Sequence, residues 1–173
     1  MPKRSFENVE EFENHIGEAE ELLFDGTEMA CERPKDKDSQ RFKFSGKRKA
    51  HTDLALVLSD KSTWIYYVSS LYDGSHVDFS VLKQEFPPEK KWFEKFKVVV
   101  DLGFAGIANE FEIKQLMIGV KKPRKSKKNP EPKLTDEQKK WNHQVGSERI
   151  YVEHAIGGDE NIQDSEKQGQ NEM

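Results

Sequence analysis

The sequence predicts an α/β protein: a mixed sheet flanked by helices. Three features carry that reading. Three extended segments follow one another through tight turns, as in an antiparallel meander. Val98, Val99 and Val100 form a short, wholly apolar run, the type of strand buried on both faces. One long helical pattern begins at Leu134. The chain has 173 residues, enough for one domain with a real core. With 35% charged and 34% hydrophobic residues, part of the length is expected to lie outside that core.

Residues 1–19 read as a polar lead-in with weak helical spacing at Phe6, Val9 and Phe12. Residues 20–32 read as the first strand, closed by Arg33-Pro34. Residues 35–40 are charged and turn-like. Residues 41–58 read as one extended arm, with Phe42 and Phe44, then Leu54, Leu56 and Leu58, on alternate positions. Asp60-Lys61-Ser62 reverses the chain. Residues 63–72 are aromatic and β-branched, a third strand, in which Trp64, Tyr66 and Tyr67 read as core and sheet residues. Asp73-Gly74-Ser75 turns it, and Asp78 is placed to cap a short helix over Val81, Leu82 and Phe86, stopped by Pro87-Pro88. Residues 90–96 suggest another short helix. Residues 115–120 suggest a further strand, with Leu116, Ile118 and Val120 alternating. In the last helix Thr135 and Gln138 form a capping box. Trp141, Val145, Val152 and Ile156 make its core stripe, and Asn142, Gly146, Arg149 and Glu153 a second face. Gly157-Gly158 is expected to end it. Residues 159–173 are polar and acidic, expected to be a disordered tail.

Single Cys31 excludes an internal disulfide framework and fits a reducing compartment. No start-proximal apolar segment and no run long enough to span a bilayer is present, so a cytoplasmic, nucleoid-associated protein is expected. The five histidines have no zinc-like spacing, and no P-loop, dinucleotide fingerprint or nucleophile elbow occurs.

Three acids stand out. Asp25 ends the run Leu22-Leu23-Phe24, Asp101 ends Val98-Val99-Val100, and Glu153 lies one helical turn after Arg149. A carboxylate at the end of a buried strand is costly unless its charge is matched. Three converging would make an all-oxygen site for Mg²⁺ or Mn²⁺, and two such ions suit phosphoryl transfer. Each also has a plainer explanation. Asp25-Gly26 is a common turn pair, Asp101-Leu102-Gly103 a normal strand exit, and Arg149 with Glu153 a surface ion pair. Residues 121–128 are densely basic through Lys121, Lys122, Arg124, Lys125, Lys127 and Lys128, and Lys43, Lys47, Arg48, Lys49 and His51 form a second basic set on the arm. Beside a phosphoryl-transfer site both would bind a DNA backbone without reading its bases; elsewhere they would be solvated patches.

The order Phe24-Asp25-Gly26-Thr27-Glu28, then Ser45-Gly46-Lys47-Arg48-Lys49-Ala50-His51-Thr52, then Asp73-Gly74-Ser75-His76-Val77-Asp78, then Val100-Asp101-Leu102-Gly103-Phe104, then Arg149-Ile150-Tyr151-Val152-Glu153 resembles the catalytic domain of DDE-superfamily transposases, nearest the Harbinger-like bacterial insertion-sequence endonucleases. The resemblance spans residues 20–158, taken as the catalytic domain. It implies a ribonuclease H-like fold with a mixed five-stranded sheet, and Asp25, Asp101 and Glu153 as metal ligands on the first strand, the fourth strand and a late helix. Arg149 matches the arginine four residues before the family's glutamate. The implied reaction is metal-dependent cleavage at element ends and joining of the freed 3′-hydroxyl to target double-stranded DNA.

The sequence departs from the family at several points. Only 24 residues precede Asp25, where the family usually has a helix-turn-helix region. His76-Val77-Asp78 stands where the family has Val-His-Asp, which leaves an accessory role for Asp78 open. Phe104 replaces a tyrosine, and Glu160 a lysine. These features read as a chain truncated at both ends, with activity impaired. The competing expectations are a stand-alone metal-dependent nuclease and a non-catalytic remnant that binds DNA or a full-length transposase. A homo-oligomer is a further expected partner, a membrane is not.

Overall fold

A computed structural model describes residues 1–169, with side chains as far as Gly157. The elements run α1 (Val9–Ile16), β1 (Glu21–Ala30), α2 (Lys37–Lys43), β2 (Phe44–Ser45), β3 (Ala50–Ser59), β4 (Ile65–Val68), β5 (Tyr72–Asp73), α3 (Asp78–Glu85), β6 (Lys97–Val100), a 3-10 turn (Leu102–Phe104), α4 (Ile107–Glu110), β7 (Gln115–Ile118) and α5 (Asp136–Gly169). The sheet is mixed. Its strands lie in the order β2-β3-β1-β6-β7, with β4 and β5 also paired to β3. β1 is antiparallel to β3 and parallel to β6, and β6 is parallel to β7. Seven strands replace the five expected, because β2 and β5 are two-residue pieces.

Side-chain alternation places the sheet between two layers. Leu22, Phe24, Val98 and Val100 face an aromatic core with Phe12, Phe86, Trp92 and Phe93. Leu23, Val99 and Met117 face the other way, against Val145 and Val152 of α5, with Trp141 and Ile156 at the margin. The apolar run and the helical stripe therefore meet each other. Each fully buried valine of β6 contributes roughly 1.5–3 kcal/mol. The capping box is formed: Thr135 N–H donates to Gln138 Oε1 at 3.0 Å, and Gln138 N–H to Thr135 Oγ1 at 3.1 Å. Trp141 Nε1–H donates to the Ile118 carbonyl at 2.8 Å. Asn142 accepts from Val120 N–H at 2.6 Å and donates to the Val120 carbonyl at 3.0 Å. Asn142 thus ties α5 to the end of the β7 segment.

Several expectations are corrected. Segment 41–58 is not one arm. Asp36 caps α2 by accepting from Asp38 and Ser39 N–H groups, and Lys49, at φ 57°, turns the chain left-handed before β3. Phe42 and Phe44 are exposed. The third strand is interrupted between β4 and β5. There buried Ser69 accepts from Leu56 N–H through its Oγ, and its own N–H donates to the Leu56 carbonyl. Trp64 is exposed, while Tyr67 is buried. Residues 90–96 form turns rather than a helix, and the Trp92 indole N–H donates to the Pro87 carbonyl. The lead-in is part of the fold, since Phe12 and Ile16 of α1 are buried. The helix continues through Gly157-Gly158 to Gly169, because neither glycine adopts the left-handed conformation of a cap. Of the tail expected at 159–173, the last four residues lie outside those described. No helix among the described residues is long and apolar enough to cross a membrane.

Candidate metal centre

Sheet register brings the two strand aspartates level. The last β1–β6 pair is Leu23 with Val99. Asp25 and Asp101 each lie two residues further on, at the C-terminal end of β6. β1 itself continues to Ala30, so Asp25 sits within the strand rather than at its tip; what ends there is its parallel neighbour. That loss of a neighbour opens the cleft. Each carboxylate is then fixed locally: Asp25 Oδ1 accepts from Gly26 N–H at 2.9 Å, and Asp101 Oδ1 from Gly103 N–H at 2.7 Å.

Asp78 joins them. It does not cap α3, whose N-cap is Val77 without a side-chain bond. Instead one carboxylate oxygen each from Asp25, Asp78 and Asp101 lie within 4.8 Å of one another. Two glycines make room for it. A Cβ on Gly26 would stand 2.1 Å from Asp78 Oδ1, and one on Gly103 2.9 Å from Asp78 Oδ2. The inverted His76-Val77 order had left Asp78 open. The readable signal was the pair Asp25-Gly26 and Asp101-Leu102-Gly103, a small residue beside each acid.

Arg149 and Glu153 reach the cluster from α5. Arg149 Nη2 lies 3.8 Å from Asp25 Oδ2, 3.8 Å from Asp101 Oδ2 and 3.5 Å from Glu153 Oε1. One nitrogen therefore touches all three acids singled out in the sequence. Glu153 is 55% exposed and stands outside the tight trio, linked to it through the guanidinium. Arg149 Nε is buried without a hydrogen-bond partner among the described residues. The register of α5 here is held by Lys61, 2.6 Å from Glu148 and 3.1 Å from Glu21.

The electrostatics suit a bound cation. Burial pushes the Asp78 carboxyl up to about 6, and the Asp101 charge adds to this. Burial also raises Asp25, although Arg149 opposes it. Oxygen-only donors at this spacing fit a hard divalent ion such as Mg²⁺ or Mn²⁺, and the trio includes no histidine or cysteine.

The basic residues divide into two groups. Lys47, Arg48 and Lys49 are exposed in the turn between β2 and β3, not within a strand. Lys47 lines a cavity with Asp78 and Asp101. Lys43 is neutralised by ion pairs to Asp53 and Asp73, and His51 packs on Phe44. Lys121, Lys122, Arg124, Lys125, Lys127 and Lys128 are exposed. They follow β7, whose parallel pairing with β6 ends at Ile118 opposite Val100, so this segment leaves the sheet at the same end as Asp101.

A family model described as DDE superfamily endonuclease matches residues 24–160. A relative described as the "Probable transposase for insertion sequence element IS702" of Microchaete diplosiphon is 34% identical over 134 residues, covering 77% of this chain and 44% of that protein. The chain thus spans less than half the length of that curated relative. No solved structure matches.

Proposed function

Because the chain belongs to the DDE superfamily endonucleases, we propose that it is the catalytic domain of a transposase, with a ribonuclease H-like fold, cutting and joining DNA strands with divalent metal. The sheet order supports the fold. Among strands of four residues or more it runs β4-β3-β1-β6-β7, with an antiparallel first half and a parallel second half. The observation that carries the functional reading is the single Arg149 nitrogen within 3.8 Å of Asp25, Asp101 and Glu153. Acids far apart in the sequence are thereby brought to one guanidinium nitrogen.

In this reading Asp25, Asp101 and Glu153 hold a pair of Mg²⁺ or Mn²⁺ ions, and Asp78 adds a fourth carboxylate. Bound metal supplies the positive charge that phosphoryl transfer requires. The chain's own residues do the positioning. Gly26 and Gly103 N–H groups orient the two strand aspartates. Arg149 neutralises the acids and keeps Glu153 within reach. The exposed 121–128 segment grips phosphates along double-stranded DNA without reading sequence, so binding is salt-dependent. The substrates would be the ends of a mobile element and a target duplex.

Nicking of supercoiled plasmid in Mn²⁺ tests this. The wild-type chain is expected to nick, and Asp101→Asn to lose at least about a hundredfold in rate, since the charge stabilisation at the reacting phosphate goes with it. Cleavage by Asp101→Asn at the wild-type rate would overturn the proposal.

A further inference from the structure

Beside the carboxylates lies a cavity of about 410 Å³. Ser45, Gly46 and Lys47 of the β2–β3 turn line it. Gly74 and His76 of the loop before α3 also line it, as do the carboxylate-bearing Glu28, Asp78 and Asp101. The volume falls in the range of small-ligand sites, about 300–1,000 Å³. The walls are fixed in advance. Gly74 N–H donates to the Thr52 carbonyl at 2.9 Å, and Ser75 N–H to the Phe42 carbonyl at 3.0 Å. A Cβ on Gly74 would meet Thr52 Oγ1 at 2.2 Å, so the loop sits directly on β3. Ser45 Oγ accepts from Arg48 N–H at 3.1 Å, which holds the turn.

Lys47 is the charged group of this cavity that has no carboxylate assigned to it. Lys43, four residues earlier, is held by Asp53 and Asp73. Lys47 forms no ion pair or side-chain hydrogen bond among the described residues. Its ammonium nevertheless acts electrostatically on both Asp25 and Asp78. A ligand here meets carboxylates suited to a metal and an unpaired cation, Lys47. A phosphodiester-linked nucleotide satisfies both, because its phosphate offers the anion and its sugar and base fill the space.

We propose that this cavity seats one nucleotide of the DNA strand being cut, with the Lys47 ammonium holding a phosphate beside the carboxylate cluster. The inference rests on the transposase reading and deepens it. It separates Lys47 from the exposed 121–128 segment, which lies off the far strand β7 and serves the flanking duplex.

The test measures binding of a short fluorescein-labelled DNA duplex with Ca²⁺ in place of the active metal, across a range of salt concentrations. Lys47→Gln is expected to weaken binding about tenfold and to lower the salt slope by about one charge. Lys47→Arg should restore both. Gly46→Trp, at a position where a Cβ meets open space, should fill the cavity and weaken binding while leaving thermal unfolding unchanged. Wild-type affinity and salt slope in Lys47→Gln, or wild-type binding by a folded Gly46→Trp, would overturn the inference. If wild type nicks plasmid and Asp101→Asn does not, those two results remove the cavity site alone. If wild type shows no metal-dependent cleavage, the transposase reading and the cavity site fall together.

Discussion

Replacing Asp78 with asparagine is expected to stabilise the metal-free protein at neutral pH, by on the order of 2 kcal/mol after allowance for partial solvent screening. The folded-state pKa of Asp78 is raised from an ordinary 3.8 to about 6. The folded protein therefore holds this proton more tightly than the unfolded chain. The stability linked to it is fully present below about pH 4 and is lost as pH rises through about 6. Asp25 is shifted in the same direction. Other carboxylates act oppositely: Asp60 and Glu148 are lowered by their hydrogen-bond partners, so the total profile mixes both signs. The difference between wild type and Asp78→Asn isolates the term. In chelator, urea unfolding should show that difference growing from pH 4 to pH 7.5. Saturating Mg²⁺ should shrink it at pH 7.5, because the ion stabilises the wild-type site with its fourth carboxylate more than the variant that lacks it. A difference independent of both pH and metal would mean that Asp78 does not share the centre.

Gly26→Ala should have a large effect on activity for a single added methyl group. Its Cβ would sit 2.1 Å from Asp78 Oδ1 and 2.6 Å from Asp78 Cγ. Either Asp78 leaves the trio or β1 shifts against α3. At Gly26 β1 is held in register with β3, opposite Leu56, so the carboxylate is expected to move. A displacement of about 1 Å at a reacting centre can cost about a hundredfold in rate. Plasmid nicking should fall by about that factor while circular dichroism stays that of the wild type. Nicking within about threefold of wild type would show that the close approach is unimportant, on the same scale of rate arithmetic.

Much of this arrangement was legible because it rests on periodicity. Val98, Val99 and Val100 are apolar in succession, and the structure buries all three, on alternate faces. The stripe Trp141, Val145, Val152 and Ile156 has a helical period, and it packs on the face that the sequence left for it. The capping box is a local motif with a local cause. What was not legible depends on distant contacts. Nothing near Asp78 reveals that Gly26 and Gly103, far away along the chain, leave space for its carboxylate. The segment 41–58 alternates well enough for a strand, but the Asp36 cap and the left-handed Lys49 break it. The aromatic run 63–72 is interrupted because Ser69 offers Leu56 a hydroxyl in place of a ladder partner. Residues 90–96 have apolar spacing that suits turns packed on the core as well as it suits a helix. For Asp78 and Ser69 the partners are distant in sequence, while the Asp36 cap and the Lys49 turn are local signals hidden under the alternation.

The central claim is that Asp25, Asp101 and their neighbours form one divalent-metal centre. A calorimetric titration of Mn²⁺ into the wild-type chain, Asp25→Asn and Asp101→Asn measures it directly. Saturable binding to wild type, weakened at least about tenfold in both variants, is the expected result. Equal binding by all three chains, or none by the wild type, would contradict the account.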